Sequence, residues 1–351
     1  MRNISSMAQI IFVLIILSQS TFAFNSSADR LSVAPQEGHA LFIESIDSAK
    51  TSIDMMMYHL TDPEVVSHLT MARQRGLKVR IILDHQAMSG NSSKAIADQL
   101  STVGVEIYPS TALFTITHAK AAVFDHQWAL ITTMNLTRVF YFSRDYGIKT
   151  YDVNIISEFD SVFEADIKNA LNQAKETPAL GSSKLIWSPV NSKMGILSFI
   201  NSAQSSLFIE VENLGDRDVL AALKLKAQSG VKVVVLVPAC VQGGGSRNIP
   251  LMIPLAEAGV DARLSMPPYS SENPYIHAKA IVVDQKNYYI GSENLSYNSL
   301  TQAREVGMID ADPQISSDIL NSITFDLGLA IPVQQVDPAF ICPSSDGGSH
   351  L

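Results

Sequence analysis

The same succession of helices and strands is repeated in the two halves of this chain. Residues 42–49 have the periodicity of an amphipathic helix, and residues 52–57 follow as a mostly apolar strand. Residues 199–204 and 207–212 repeat this pair in the second half. Because helices and strands alternate at this spacing, the sequence predicts an α/β fold with helices packed on a sheet. The duplication predicts two similar halves.

Each half continues with a second helix and a β-branched strand. Asp62 and Asp216 are predicted N-caps of these helices, and Gly76 and Gly230 are predicted to end them. A further helix and strand follow in both halves. Hydrophobic residues make up 46% of the chain and charged residues 17%, a balance that excludes an intrinsically disordered protein.

Polar stretches between and around the repeats set the predicted domain boundaries. Such Ser-, Gly- and Pro-containing stretches are typical of mobile ends and linkers. The sequence therefore predicts a signal peptide at 1–23, a mobile N-terminal segment at 24–37, a first half at 38–176, a linker at 177–190, a second half at 191–330 and a C-terminal tail at 331–351.

The N-terminus has the features of a secretory signal peptide. Arg2 precedes an apolar run at residues 10–17, and small residues end at Ala23. The run is shorter than the roughly 20 residues of a spanning helix, although an uncleaved anchor is the alternative interpretation. We expect a secreted or periplasmic protein. In an oxidising compartment Cys240 and Cys342 either pair as a disulfide or remain as two thiols.

Each half carries the same polar signature, His-x-Lys-x4-Asp. It comprises His118, Lys120 and Asp125 in the first half and His277, Lys279 and Asp284 in the second. Average composition gives such a match once per ~10⁴ start positions. Two matches at corresponding points of an internal repeat therefore indicate function. The two aspartates begin turns, and we interpret them as structural.

Further polar residues follow each signature. Thr133 and Asn135 in the first half correspond to Ser292 and Asn294 in the second, and we predict that these four side chains bind substrate. Asp145 and Glu305 come next, each in an Arg-acid-x-Gly context. A histidine that acts as a nucleophile needs its second nitrogen fixed by a partner. Asp145 and Glu305 are the predicted partners.

Strand geometry brings these residues to one surface in each half. Side chains alternate along a strand, so His118 and Lys120 point the same way, as do His277 and Lys279. A pseudo-twofold axis between the halves would place both sets around one point. One half alone would supply only one of the two imidazoles.

Two imidazoles, two ammonium groups and two carboxamides suit a phosphodiester. The cations and amides can hold the non-bridging oxygens, whose charge grows as phosphorus becomes pentacoordinate. One histidine can attack phosphorus while the other protonates the leaving alcohol. This chemistry requires no metal or other cofactor, and the sequence has no HExxH motif or Cys/His cluster.

The duplicated signature resembles that of the phospholipase D superfamily, over about residues 38–327. The second copy is a full match, whereas the first has Thr132-Thr133 where Gly-Ser is usual. The resemblance implies an α/β/α sandwich in each half and an active site at their interface. It also implies a covalent phosphohistidine intermediate resolved by water or an alcohol, without a metal. By the same resemblance His118 is the nucleophile and His277 the acid and then the base, although the motif itself is symmetric.

The substrate is predicted from charge and from the loops before each signature. The net charge of −9 disfavours capture of a polyanion. Apolar or aromatic loops at 112–116, 264–269 and 274–276 could contact acyl chains, although aromatic loops also stack bases of single-stranded nucleic acid. We expect a monomeric phospholipase D-type hydrolase, with possible transphosphatidylation, that acts peripherally on phospholipid membranes. The alternatives are a metal-independent secreted endonuclease and an inactive phosphate- or lipid-binding protein.

Overall fold

A computed structural model describes residues 28–343, except 139–140, 173 and 243–244. The predicted signal peptide at 1–23 lies outside the described residues. Within them, no helix combines the length and hydropathy needed to cross a bilayer.

The two halves contain the same types of elements in a similar order. The first half contains β1 (Arg30–Ala34), α1 (Ala40–Ser48), β2 (Ser52–Met57), α2 (Pro63–Gln74), β3 (Lys78–Leu83), α3 (Asn91–Thr102), β4 (Glu106–Pro109), β5 (Lys120–Phe124), β6 (Trp128–Thr132), β7 (Ser143–Thr150) and α4 (Val153–Asn172). The second contains β8 (Leu185–Ser188), α5 (Ser192–Ser202), β9 (Ser206–Val211), α6 (Arg217–Gln228), β10 (Lys232–Pro238), α7 (Ile249–Glu257), β11 (Asp261–Ser265), β12 (Tyr275–Ile276), β13 (Lys279–Val283), β14 (Asn287–Gly291), α8 (Tyr297–Thr301), β15 (Glu305–Asp310), α9 (Pro313–Leu329) and β16 (Ile331–Pro332).

Each half builds one mixed sheet, and β12 of the second half joins the sheet of the first half by pairing with β7. The first has the order β1-β7-β6-β5-β2-β3-β4, and the second β16-β11-β10-β9-β13-β14-β15-β8. Three neighbouring strands are parallel in each, β2-β3-β4 and β9-β10-β11, and the signature strands β5 and β13 run antiparallel to β2 and β9. The predicted α/β class with one repeated unit in each half is confirmed.

The predicted N-caps form hydrogen bonds at the start of α2 and α6. Oδ1 of Asp62 accepts the backbone N–H of Glu64 at 3.0 Å, and Oδ1 of Asp216 accepts that of Asp218 at 3.0 Å. Each carboxylate satisfies a helix N–H that has no partner within the helix. Both caps also fix the loop that follows β2 or β9, at the edge where the site lies.

One hydrophobic core joins the two halves. It includes side chains of both sheets together with Phe159 and Phe163 of α4 and Ile319 and Ile323 of α9. The remaining core clusters lie on the other face of each sheet, under α1–α3 in the first half and α5–α7 in the second. Each sheet is therefore covered by helices on both faces, and the inner helices form the interface.

Three segments predicted as mobile ends or linker contribute strands instead. β1 pairs with β7 within 24–37, β8 pairs with β15 within 177–190, and β16 pairs with β11 within 331–351. Leu31, Val33, Leu185 and Trp187 explain two of these strands, because their apolar side chains join the shared core. Ser and Gly content alone did not reveal these short apolar stretches.

Cys240 and Cys342 form a disulfide, with Cα atoms 5.5 Å apart. The bond ties the C-terminal tail to the loop that follows β10. Of the two interpretations that the sequence left open, the structure has the paired one.

Candidate active site

Strands β5 and β13 place the two His-Lys pairs at one end of their sheets. Lys120 begins β5 and Lys279 begins β13. Lys120 is paired with Met57 at the carboxyl end of β2, and Lys279 with Val211 at the carboxyl end of β9. Both pairs therefore lie where parallel strands end, the edge at which α/β sheets usually bind ligands.

Asp125 and Asp284 lie at the opposite ends of these strands. Both have left-handed backbone conformations, with φ of 55° and 51°. The carboxylate of Asp125 accepts backbone N–H groups of residues 50–52, and that of Asp284 those of residues 204–206, at 2.6 to 3.2 Å. The two aspartates thus organise turns away from the site.

Each signature histidine is held by the acid of the other half. Nδ1 of His118 lies 2.8 Å from Oε2 of Glu305, and Nδ1 of His277 lies 2.8 Å from Oδ1 of Asp145. All four side chains are buried. Because the two contacts cross the interface in opposite directions, they bring both imidazoles to one site between the halves.

The main chain repeats this exchange. The backbone N–H of His118 donates to the carbonyl oxygen of Arg304 at 2.8 Å, and that of His277 donates to the carbonyl oxygen of Arg144 at 3.2 Å. Each arginine directly precedes the acid that contacts the same histidine. One short segment of each half therefore fixes both the backbone and the ring of the other half's histidine.

The same two arginines form buried ion pairs across the interface. Arg144 donates to Asp326 of α9 through Nε at 2.5 Å and Nη2 at 2.9 Å. Arg304 donates to Asp166 of α4 through Nη2 at 2.8 Å. All four side chains are buried, so the loss of one partner would leave the other charge buried without its ion-pair partner. The two pairs join the halves next to Asp145 and Glu305.

The signature lysines contact the backbone of the histidines, and both signature asparagines are buried. Nζ of Lys120 donates to the carbonyl oxygen of His118 at 2.9 Å, and Lys279 donates to that of His277. Asn294 is held by the backbone N–H of Asn213, which donates to its Oδ1 at 3.1 Å. Oδ1 of the buried Asn135 has no hydrogen-bond partner within the described residues.

This geometry agrees with what the chain resembles among known proteins. The family model described as "Cardiolipin synthase, PLD-like domain" matches residues 42–167 and 196–325. The chain belongs to the phospholipase D superfamily. The two matched segments coincide with the two halves of the fold.

Several phospholipase D relatives share most of this chain. Cardiolipin synthase A of Edwardsiella ictaluri (strain 93-146) is 24% identical over 321 residues, which cover 79% of this chain and 64% of that protein. Cardiolipin synthase A of Buchnera aphidicola subsp. Schizaphis graminum is 24% identical over 355 residues, or 89% and 71%. The first alignment thus spans less than two thirds of its relative. Phosphatidylserine synthase of Haemophilus influenzae Rd KW20 has the same fold, with a TM-score of 0.72 and 14% identity over 88% of this chain and 89% of that one.

Thr133 and Ser292 contact the acid Asp145 and the neighbouring strand β15, respectively. Oγ1 of Thr133 donates to Oδ1 of Asp145 at 2.5 Å and accepts the N–H of Tyr146 at 2.9 Å. Oγ of Ser292 accepts the N–H of Val306 at 3.1 Å. Both hydroxyls are buried and hydrogen-bonded, and these contacts position the acids. Their predicted contact with substrate stays a prediction.

The Thr132 that replaces the usual glycine points away from the site. Its Oγ1 donates to the carbonyl oxygen of Tyr146 at 2.8 Å. In the second half, a Cβ on Gly291 would lie 2.4 Å from Cα of Gly307 and 2.6 Å from the hydroxyl of Tyr289. Glycine is thus required in the second half by packing between β14 and β15, whereas the first half has room for threonine.

Glu212 is a site residue that was not predicted from the sequence, because the prediction used only polar residues that recur in both halves. Its Oε2 accepts Nζ of Lys279 at 3.2 Å and Nδ2 of Asn294 at 3.4 Å, and lies 3.9 Å from Nε2 of His277. Glu212 directly follows β9, as Tyr58 directly follows β2 in the same register. The sequence does distinguish this position, because the two halves have different residues there and not the same one.

Tyr58 takes the corresponding place beside His118. The centroids of its ring and of the His118 ring are 4.7 Å apart, and Nζ of Lys120 lies 5.4 Å from the Tyr58 ring centroid. The two sides of the site therefore differ, with an aromatic ring beside one histidine and a carboxylate beside the other.

The groups around His118 favour their neutral forms. Burial lowers the pKa of His118 well below its usual value, and the charges of Lys120 and Lys279 add to this effect. Burial, together with the charge of Lys279, lowers the pKa of Lys120 to about 7. Burial raises the pKa of Glu305 to about 7, although Lys120 opposes it. His118 is thus neutral near pH 7, with a lone pair available on its ring.

The carboxyl groups near His277 are ionised. Burial alone would raise the pKa of Asp145, but the charge and hydrogen bond of His277 outweigh it, and the pKa is lowered. Burial would also raise the pKa of Glu212, yet Lys279 and His277 hold it well below its usual range. The side of the site around His277 therefore contains two carboxylates, of which Asp145 contacts the histidine and Glu212 contacts Lys279.

One group in the described residues has the spacing of metal ligands, and it lies elsewhere. Asp54, His126 and Asp160 have ligand atoms within 4.8 Å of one another. Both oxygens of Asp54 already accept from Arg80, at 2.7 Å each. His126 belongs to the turn after β5, at the end of the sheet opposite the active site.

Proposed function

We propose that this protein is a phospholipase D-type enzyme that cleaves the head-group phosphodiester of phospholipids and transfers the phosphatidyl group to water or to another alcohol. The proposal rests on the contact of each histidine with the acid of the other half, because these contacts orient two imidazoles in one site. The names of the relatives, cardiolipin synthase and phosphatidylserine synthase, support a phospholipid as substrate.

The first step of the proposed reaction forms a bond between phosphorus and His118. The lone pair on Nε2 attacks phosphorus, because Glu305 engages Nδ1 and the ring is neutral. The bond from phosphorus to the head-group oxygen breaks, and Nε2–H of His277 gives its proton to that oxygen. The two lysines, Asn135 and Asn294 hold the non-bridging oxygens, whose negative charge grows during the step.

The second step returns both histidines to their starting forms. Water or an alcohol attacks the phosphorus bonded to His118 while Nε2 of His277 takes its proton. The P–N bond breaks, and its electron pair returns to His118. Glu212 supports this division of roles. Its carboxylate lies 3.9 Å from Nε2 of His277 and would repel the oxygens of a phosphoryl group bonded to that nitrogen.

The substrate class is tested by comparing lipid and nucleic acid in the same buffer. Purified protein is incubated with phospholipid in detergent micelles and, separately, with supercoiled plasmid, both with a chelator. We expect head-group release from the lipid and intact plasmid, with no release by His118→Asn. Plasmid nicking without lipid cleavage would favour the endonuclease, and inactivity on both would favour a binding protein.

We also propose that the protein is exported. The Cys240–Cys342 disulfide supports this, because disulfides persist in oxidising compartments. The mass of the protein recovered from expressing bacteria tests the proposal. A periplasmic or secreted chain that begins after Ala23 is expected, and a full-length cytoplasmic chain would contradict export.

The depressed pKa of Lys120 predicts an alkaline limit to substrate capture. The free enzyme loses the charge on Lys120 as the pH rises through about 7, so kcat/KM is expected to fall above that pH. A bound phosphodiester favours the charged ammonium, so kcat should persist to higher pH. Pre-steady-state and steady-state rates are measured at about ten pH values between 5 and 10. They give the pH dependence of kcat/KM and of kcat. The Lys120→Arg variant keeps its charge, and its alkaline limit should move upward. An identical limit in that variant would contradict the assignment.

A further inference from the structure

Glu212 occupies the anion-binding groups of the second half. Its Oε2 accepts from Lys279 and Asn294, which are two of the predicted phosphate contacts, and its Oε1 accepts the hydroxyl of Tyr275 at 2.8 Å. Glu212 is 8% exposed. A phosphodiester that enters the site therefore competes with this carboxylate for the donors of Lys279 and Asn294.

That competition weakens the hydrogen bonds that a buried carboxylate receives. The free energy of a buried charged group rises when it loses hydrogen bonds, and another donor at the same place lowers it again. The hydroxyl of Tyr275 stays within reach of Oε1. Oε2, which faces the phosphate donors, is stabilised by a further donor once substrate is bound. The substrate itself is the component that arrives at this point.

The part of the substrate that meets Glu212 is the head-group alcohol. Nε2 of His277 delivers a proton to the leaving oxygen in the proposed reaction, and Oε2 of Glu212 lies 3.9 Å from that nitrogen. The atoms attached to the leaving oxygen therefore pass close to the carboxylate. On the His118 side the corresponding residue is Tyr58, whose side chain has no charge to offer.

We propose that Glu212 selects the head-group alcohol, favouring alcohols that carry an N–H or O–H donor near the leaving oxygen. Ethanolamine, serine and glycerol have such donors, whereas the quaternary nitrogen of choline has none. The inference rests on the proposed function, and it adds the class of head group. The same selection applies in the reverse direction, when an acceptor alcohol attacks the phosphohistidine.

Phosphatidylethanolamine and phosphatidylcholine with identical acyl chains provide the matched comparison. Both head groups carry one positive charge and differ in three N–H donors against three methyl groups. In mixed micelles we expect kcat/KM for phosphatidylethanolamine to exceed that for phosphatidylcholine by at least about tenfold, the usual effect of a charged hydrogen bond. Equal values in the unmodified enzyme would overturn the inference.

The Glu212→Gln variant tests whether this carboxylate is the cause. The ratio of kcat/KM for phosphatidylethanolamine to that for phosphatidylcholine is expected to fall to about threefold or less, because the amide lacks the charge that strengthens the hydrogen bond. Glu257→Gln, on the exposed end of α7, is the matched control and should keep the wild-type ratio. An unchanged ratio in Glu212→Gln would overturn the inference.

Two further measurements separate this inference from the proposed function. Bis-p-nitrophenyl phosphate has leaving groups without N–H or O–H donors, so its cleavage reports the reaction without head-group selection. Failure to cleave it and both lipids would reject the proposed function, whereas equal cleavage of both lipids rejects only the role of Glu212. If Glu212→Gln does not fold, competition between ethanolamine and choline as acceptors for the wild-type phosphoenzyme gives the answer, with a preference for ethanolamine expected and equal use contradicting it.

Discussion

Replacement of His118 by asparagine is expected to lower turnover by about 10⁴-fold or more, because the nucleophile is lost. Asparagine can keep a hydrogen bond to Glu305, so the fold around the site should persist. Turnover of bis-p-nitrophenyl phosphate measures the loss, and the thermal unfolding midpoint checks the fold. A variant that keeps more than about a tenth of wild-type activity would exclude His118 as nucleophile.

The His277→Asn variant distinguishes the roles of the two histidines. Nitrophenolate leaves without a proton, so the first step should still occur and should release about one equivalent of nitrophenolate per chain in a burst. The second step lacks its base, and the phosphoenzyme should accumulate. Mass spectrometry of the quenched protein is expected to find the added phosphoryl group on the peptide that contains His118. A burst in His118→Asn, with the label on His277, would reverse the assignment.

Of the substitutions proposed, those that break the Arg144–Asp326 pair are expected to lower the free energy of unfolding the most. The Arg144→Met variant leaves the buried Asp326 without its partner, and broken buried pairs cost about 3–5 kcal/mol of unfolding free energy. Activity should fall as well, since Arg144 precedes the acid that holds His277 and its carbonyl oxygen accepts the N–H of that histidine. Urea unfolding followed by circular dichroism measures the free energy.

The controls for this prediction use the same chain. Asp326→Leu added to Arg144→Met removes the unpaired charge and should recover most of the stability. Lys94→Met breaks an exposed pair with Asp98 and should cost less than about 1 kcal/mol. A loss in Arg144→Met no larger than in Lys94→Met would show that the pair does not hold the interface.

The sequence was sufficient for the features that repeat. Strand alternation predicted that His118 and Lys120 lie on one surface, and duplication predicted the same for His277 and Lys279. The α/β class followed from the spacing of helices, glycines and β-branched strands. These features are local, since periodicity and turn chemistry determine them within a few residues.

The sequence was insufficient for features that depend on how the halves close. It identified Asp145 and Glu305 as partners of the histidines, but the exchange between halves joins residues 187 and 132 positions apart. Asp166 and Asp326 occupy the same position in α4 and α9, thirteen residues after the helix start, yet helical carboxylates are common and gave no signal. Glu212 was missed because it differs from its counterpart Tyr58.

The central claim is that both imidazoles act on a single phosphorus atom between the halves. A crystal structure of the protein with vanadate, which adopts the pentacoordinate geometry of the transferring phosphoryl group, tests this claim most directly. One vanadate per chain is expected, with Nε2 of His118 and Nε2 of His277 on opposite sides of the vanadium. Vanadate bound to one ring alone, with the other ring out of reach, would contradict the account.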